Sequence, residues 1–226
     1  MQFRISFLTE EGISNIILNT QSSYDQVAGE YAEKFKDEME DKPFDRDCLD
    51  RLAREVAKLG PICDMGCGPG QIARYLDRQG VDTLGVDLSP RMVAEAQRLN
   101  PDIPFHQGDM LSLPDRDNSW SGIAAFYCII HIPREQIVDA LREMKRVLKP
   151  GGVLLVAFHI GQEIKHLDEW WEKPVNLDFA FYLPEEMEDW LKEAGYELEE
   201  TLVREPNPEV EVATRRAYLF ARKPNI

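Results

Sequence analysis

Apolar positions along this chain alternate between two spacings from Pro61 onward. Short apolar-rich runs at 61–64, 81–87, 105–110, 119–127 and 153–158 end in polar or turn residues, as buried strands do. Between them the spacing is helical: Ile72, Ala73 and Leu76 share one face, as do Met92, Val93, Ala96 and Leu99, and a further helix is read over 133–148. This alternation predicts an α/β fold with a parallel sheet covered on both faces. Upstream, Leu49, Leu52, Ala53 and Val56 face inward from a helix over 46–59, and Tyr24 and Tyr31 lie on one side of another. With 226 residues, no repeat and no low-complexity tract, positions 22–226 read as a single domain. Positions 1–21 form an N-terminal extension that is open as a cap strand or helix, a tail, or a start placed too early.

The turn after the first strand carries the densest chemistry. Asp64-Met65-Gly66-Cys67-Gly68-Pro69-Gly70 sets an acid and then three alternate glycines between strand and helix, where backbone can approach a ligand closely. A dinucleotide site would read G-x-G-x-x-G, with pyrophosphate on the helix N-terminus. The acid two residues before Gly66 is a poor neighbour for pyrophosphate. It suits a nucleotide-like ligand with positive charge and amino groups. Asp87 ends the second strand, where an acid takes both ribose hydroxyls, and Asp109 ends the third. Alternate glycines alone are equally turn chemistry; three strand-ending acids in order favour a cofactor site. Gly151 and Gly152, after Pro150, are read as a helix stop and turn.

Together with R-V-L-K-P-G-G at 146–152, these motifs resemble in order and spacing the class I S-adenosylmethionine-dependent methyltransferases, over roughly residues 22–222. The resemblance implies a Rossmann-like, seven-stranded, mostly parallel sheet with helices on both faces, closed by 196–204 and 214–221 with the last strand antiparallel. It implies S-adenosylmethionine as cofactor, an adenine-binding role for Asp109, and contacts from Asp64, Gly66, Cys67, Gly68, Asp87, Leu88, Met92, Met110 and Phe126. The Y-D-x-x-A-x-x-Y element at 24–31 is similar to a helical lid that many small-molecule members carry, which places Tyr31, and after it Tyr24, at the methionine moiety. Without the resemblance it is equally a helix packing two aromatics on the core. Positions 22–226 then constitute one methyltransferase domain.

Two readings stand for His131, just past the fourth strand, where ligands of open parallel sheets bind. It is a general base for an oxygen or nitrogen nucleophile, or a capping or packing histidine. His159 closes the fifth strand. The stretch 161–183 that follows contains His166, Trp170, Trp171, Phe179, Phe181 and Tyr182. It reads as a cap insertion with His159, Trp171 and Tyr182 touching substrate, or as aromatics that bury a long connection. Adjacent tryptophans cannot face the same side of one element, so one packs while the other lines a pocket. Methyl transfer from an activated sulfonium needs alignment more than covalent help, so no catalytic triad is expected.

Charge narrows the acceptor. With 41 Asp and Glu against 26 Lys and Arg, the net charge of −15 repels phosphate backbones and anionic lipid, arguing against nucleic-acid and membrane partners. Cys48, Cys63, Cys67 and Cys128 have neither structural-zinc spacing nor a disulfide framework, and no metal is expected. No apolar run has the length of a signal core or membrane span, so the cytoplasm is the expected compartment. The expected function is transfer of a methyl group from S-adenosylmethionine to an oxygen or nitrogen of a small-molecule acceptor. The alternative is an S-adenosylmethionine-binding protein with other chemistry or a regulatory role.

Overall fold

In the computed structural model, which describes residues 10–225, the apolar runs become the central strands. β1 (Ile62–Met65) and β4 (Trp120–Phe126) are buried at every position, as strands covered on both faces must be. They lie in a seven-stranded sheet with β2 (Thr83–Asp87), β3 (Phe105–Gln107), β5 (Leu148–His159), β8 (Glu197–Arg204) and β9 (Arg216–Arg222), ordered β3-β2-β1-β4-β5-β9-β8. β1 to β5 are parallel, and β9 runs antiparallel between β5 and β8, with Leu155 opposite Phe220. The strand order reverses beside β1, and the carboxyl ends of β1, β2 and β4 open there on a crevice.

Alternation along the strands divides the core between the faces. Cys63, Met65, Leu154, Val156 and Phe158 pack with α5 (Ile137–Val147) and α6 (Pro184–Glu193). Ile62, Val153, Leu155 and Ala157 point the other way, onto α2 (Pro43–Val56) and α3 (Gln71–Arg78). α4 (Pro90–Leu99) covers the β2–β3 edge through Val93 and Ala96 against Phe105 and Ala73. Its start is encoded locally: Pro90 takes the first turn, and the Ser89 hydroxyl accepts the Met92 amide at 3.1 Å.

Several element bounds differ from the sequence reading. The third strand stops at Gln107 rather than at 110, because Gly108 and Asp109 enter a turn closed by an Asp109–Ser112 bridge. The helix read over 133–148 breaks into a single 3-10 turn at Arg134–Gln136 and then α5. Pro43 at the helix start brings α2 forward from 46. α1 (Glu10–Phe35) is one continuous helix through positions 21 and 22; positions 1–9 of the extension lie outside the described residues.

After β5 the chain forms a separate two-stranded hairpin, β6 (Ile164–Trp170) and β7 (Lys173–Ala180). Its two-residue turn is Trp171-Glu172, both left-handed at φ 51° and 62°. The hairpin lies on α1, and Val27, Val175 and Leu177 make a small core of their own there.

Candidate functional site

The strand-to-helix turn builds the floor of a cavity of about 350 Å³ at the carboxyl ends of the strands. Gly66, Gly68 and Gly70 all have positive φ, and two of them do different work. A Cβ on Gly66 would stand 2.3 Å from the Cys128 Cβ, so this glycine lets the turn close against the end of β4. A Cβ on Gly68 would meet only the Tyr31 ring, at 3.6 Å, and would occupy the space between turn and α1.

Two carboxylates brace the turn. Asp64, 2% exposed, accepts the Ala73 amide in the first turn of α3 at 3.0 Å, and burial pushes its pKa up to about 7. Asp87 accepts the Gly68 amide on Oδ2 and the Ser89 amide on Oδ1, both at 2.8 Å, and burial raises its pKa to about 6. Each Asp87 oxygen keeps a lone pair for a further donor. Asp109 lines the same cavity from the turn after β3, its carboxylate accepting the Leu111 amide at 2.9 Å.

The structure gathers most of the sequence-predicted residues on this one cavity. Tyr24, Tyr31, Asp64, Gly66, Cys67, Gly68, Asp87, Leu88, Met92, Asp109, Met110 and Phe126 all line it, as do His131 and His159. The Nδ1 of His131 lies 2.9 Å from the Asp178 carbonyl, which only accepts, so Nδ1 carries the proton. Its Nε2 is therefore the acceptor for the Tyr24 hydroxyl at 2.7 Å. Burial pulls the ring's pKa down to about 4, keeping it neutral at physiological pH. His159 has its Nδ1 2.8 Å from the Thr214 hydroxyl; burial, then Arg216 and Lys42, lower its pKa to about 4.

Two predicted contacts are not brought to the cavity. Tyr182 is fully buried, its hydroxyl donating to the Ile132 carbonyl at 2.9 Å and its ring packed on Phe158 and Trp190. It is a core residue. Trp171 occupies the hairpin turn, where its left-handed backbone folds the indole back onto Trp170 at 4.9 Å. Trp170 and Phe179 line the cavity instead.

The sequence reading missed the cavity wall above β4, β5 and β9. Tyr127, at φ 54° immediately after β4, is a non-glycine residue in the left-handed region at a cavity-lining position. Its hydroxyl lies 2.9 Å from that of Tyr218, which in turn donates to Asp45 at 2.6 Å. Glu211 reaches this wall from the β8–β9 loop and accepts from Lys42 and Arg204. Burial opposes its ionisation, yet these bonds hold its carboxyl well below the usual range. In sequence, Glu211 is one acid in an acidic loop; Tyr127 follows a strand end, the only local signal available.

A switch-point crevice with a glycine turn, strand-end acids and a lining helix points to a nucleotide-cofactor α/β protein, and comparison specifies which. Residues 62–152 match the family model described as a methyltransferase domain. That match places a class I S-adenosylmethionine-dependent methyltransferase domain over this part of the chain. The chain is 34% identical over 130 residues to malonyl-[acyl-carrier protein] O-methyltransferase of Enterobacter lignolyticus, covering 54% of this chain and 48% of that protein. To demethylmenaquinone methyltransferase of Beutenbergia cavernae it is 34% identical over 117 residues, 52% of this chain and 47% of that one. The chain thus spans about half the length of these curated relatives. In fold it resembles the 1,6-didemethyltoxoflavin-N1-methyltransferase of Burkholderia thailandensis, solved with 1,6-didemethyltoxoflavin and S-adenosylhomocysteine. That match has TM-score 0.69 and 18% identity and covers 97% of this chain and 92% of that one.

Proposed function

We propose that this protein transfers a methyl group from S-adenosylmethionine to an oxygen or nitrogen of a small-molecule acceptor. One observation carries the reading: a single cavity holds both a cofactor cradle and, beside it, an uncharged histidine whose unprotonated nitrogen accepts a tyrosine hydroxyl. The cradle fits the cofactor. Asp64 and Asp87 are buried acids whose raised pKa values are relieved by a cationic ligand, and Asp87 has a lone pair on each oxygen for a diol. Leu88, Met92 and Met110 offer apolar walls for a base next to the Asp109 carboxylate, and Gly68, Tyr24 and Tyr31 line the part of the cavity assigned to the methionine portion.

When bound, S-adenosylmethionine supplies the activated methyl group. The protein's own residues align and deprotonate. An acceptor hydroxyl or amine that donates to the Tyr24 oxygen has a path for its proton: Tyr24 passes its own proton to His131 Nε2, while the Asp178 carbonyl holds the ring through Nδ1. Trp170, Phe179 and Tyr127 give the acceptor aromatic surfaces, and His159 a polar one. The acidic balance of 41 to 26 favours a small molecule over nucleic acid, and no described helix is long and apolar enough to cross a membrane.

Incubation with methyl-labelled S-adenosylmethionine and an extract of small metabolites tests the function. Label should appear in an extractable product, and S-adenosylhomocysteine should bind by calorimetry. Binding without any labelled product points to a regulatory role; absence of binding refutes the cofactor site itself.

A further inference from the structure

α1 carries an acid that touches the cofactor cradle from outside. The Oδ1 of Asp25 accepts the Ser89 hydroxyl at 2.5 Å and the Arg91 amide at 3.2 Å. Ser89 already caps α4 through the Met92 amide, so Asp25 is not needed for that cap. The Ser89 amide in turn donates to Asp87, the acid placed for the ribose. A continuous chain of hydrogen bonds therefore runs from the ribose site through Ser89 to α1.

What Asp25 holds is larger than one helix. Val27 of α1 shares a small core with Val175 and Leu177 of the β6–β7 hairpin, and that core is separate from those on the sheet. The Asn176 amide donates to the Ser23 hydroxyl at 2.8 Å, and Lys173 donates to the Gln26 carbonyl and to Glu30. Helix and hairpin are thus one packed unit, and it delivers Tyr24 and Tyr31 from α1 and Trp170 and Phe179 from the hairpin to the same cavity.

We propose that Asp25 is a positioning residue that ties this unit to the ribose-binding turn, so that occupation of the Asp87 site and seating of the α1–hairpin unit over the cavity are one event. This deepens the cofactor reading above and rests on it. Asp25 does not touch the reacting atoms; it acts through Ser89 and through the register of Tyr24 on His131.

The experiment compares Asp25→Ala and Asp25→Asn with the wild-type chain by hydrogen–deuterium exchange, first without ligand and then with S-adenosylhomocysteine. Loss of a charged hydrogen bond and its neighbour in Asp25→Ala should raise amide exchange about tenfold in α1 and in β6–β7 together, and speed S-adenosylhomocysteine release by a similar factor. Asparagine keeps an acceptor oxygen for Ser89 and Arg91, so Asp25→Asn should return both values to within about twofold of wild type. It should also move the pH midpoint of S-adenosylhomocysteine binding downward, because one negative neighbour of Asp87 is gone while Asp64, Tyr24, Tyr31, Cys67 and Cys128 remain around it. Should Asp25→Ala fold poorly, Ser89→Gly removes the other half of the grip while keeping a tolerated helix cap, and must open the same unit.

Exchange that rises in α4 alone, or in α1 without the hairpin, overturns the proposal, as does an unchanged release rate in Asp25→Ala. Failure of the wild-type chain to bind S-adenosylhomocysteine would defeat the cofactor reading instead. The ligand-free exchange comparison would still decide whether Asp25 holds the unit.

Discussion

Cofactor affinity should depend steeply on pH through Asp64. Its carboxyl is buried with one backbone donor and the Asp87 charge nearby, and its pKa stands near 7 against an ordinary 3.8. A ligand carrying an α-ammonium group, as S-adenosylmethionine and S-adenosylhomocysteine both do, favours the ionised form, so below pH 7 binding must first remove a proton. Each pH unit below 7 then weakens affinity about tenfold, and between pH 8 and pH 5 Asp64 alone accounts for about 100-fold, or about 3 kcal/mol. Asp87, near 6, steepens the fall below pH 6. The sign for stability of the ligand-free fold is opposite. A raised folded pKa contributes stability that is complete below the unfolded value and lost as pH rises through about 7, so the free protein should melt at lower temperature at pH 8 than at pH 5, with cofactor restoring the difference. Calorimetric titration with S-adenosylhomocysteine at pH 5, 6, 7 and 8, in buffers of unlike ionisation enthalpy, reads both affinity and proton release. Asp64→Asn keeps an oxygen for the Ala73 amide and should leave only the shallower Asp87 dependence. Equal Kd at pH 5 and 8 with no proton release would refute the reasoning.

The two turn glycines should fail differently. Gly66→Ala forces a Cβ to 2.3 Å from Cys128 and should cost about 2–4 kcal/mol in chemical denaturation, whereas Gly68→Ala meets only Tyr31 at ordinary contact distance, so it should cost only the left-handed backbone strain of about 1–2 kcal/mol while weakening S-adenosylhomocysteine binding by calorimetry. Because His131 is already neutral above about pH 4, turnover should show no histidine limb between pH 6 and 8. Tyr24→Phe, which removes the hydroxyl on Nε2, should lower kcat at least about tenfold at all those pH values. Tyr182→Phe should cost about 1–3 kcal/mol of stability by thermal or urea unfolding while leaving the acceptor KM unchanged, since the lost bond is to the Ile132 carbonyl in the core.

Much of the glycine-turn side of the cavity was legible because its signals are local. An acid, three glycines and a helix start within ten residues determine a strand-to-helix turn whatever the rest of the chain does, and Asp87 at the end of a short apolar run belongs to the same grammar. The order of strands and helices followed from spacing, since burial on two faces or one leaves its period in the chain. The opposite wall of the cavity was decided by tertiary contacts. Tyr24 meets His131 across 107 positions and Asp45 meets Tyr218 across 173, distances at which no spacing rule operates. Aromatic identity in 161–183 did not tell Trp170 from Trp171, because a left-handed turn folded one ring onto the other, nor mark Tyr182 as core, because its partner carbonyl comes from 50 positions earlier. Sequence determined which segments become strands, helices and the glycine turn, through local conformational preference. Which side chains share one cavity was set only by packing the α1–hairpin unit and the β8–β9 loop against the sheet, since that depends on the path of the whole chain.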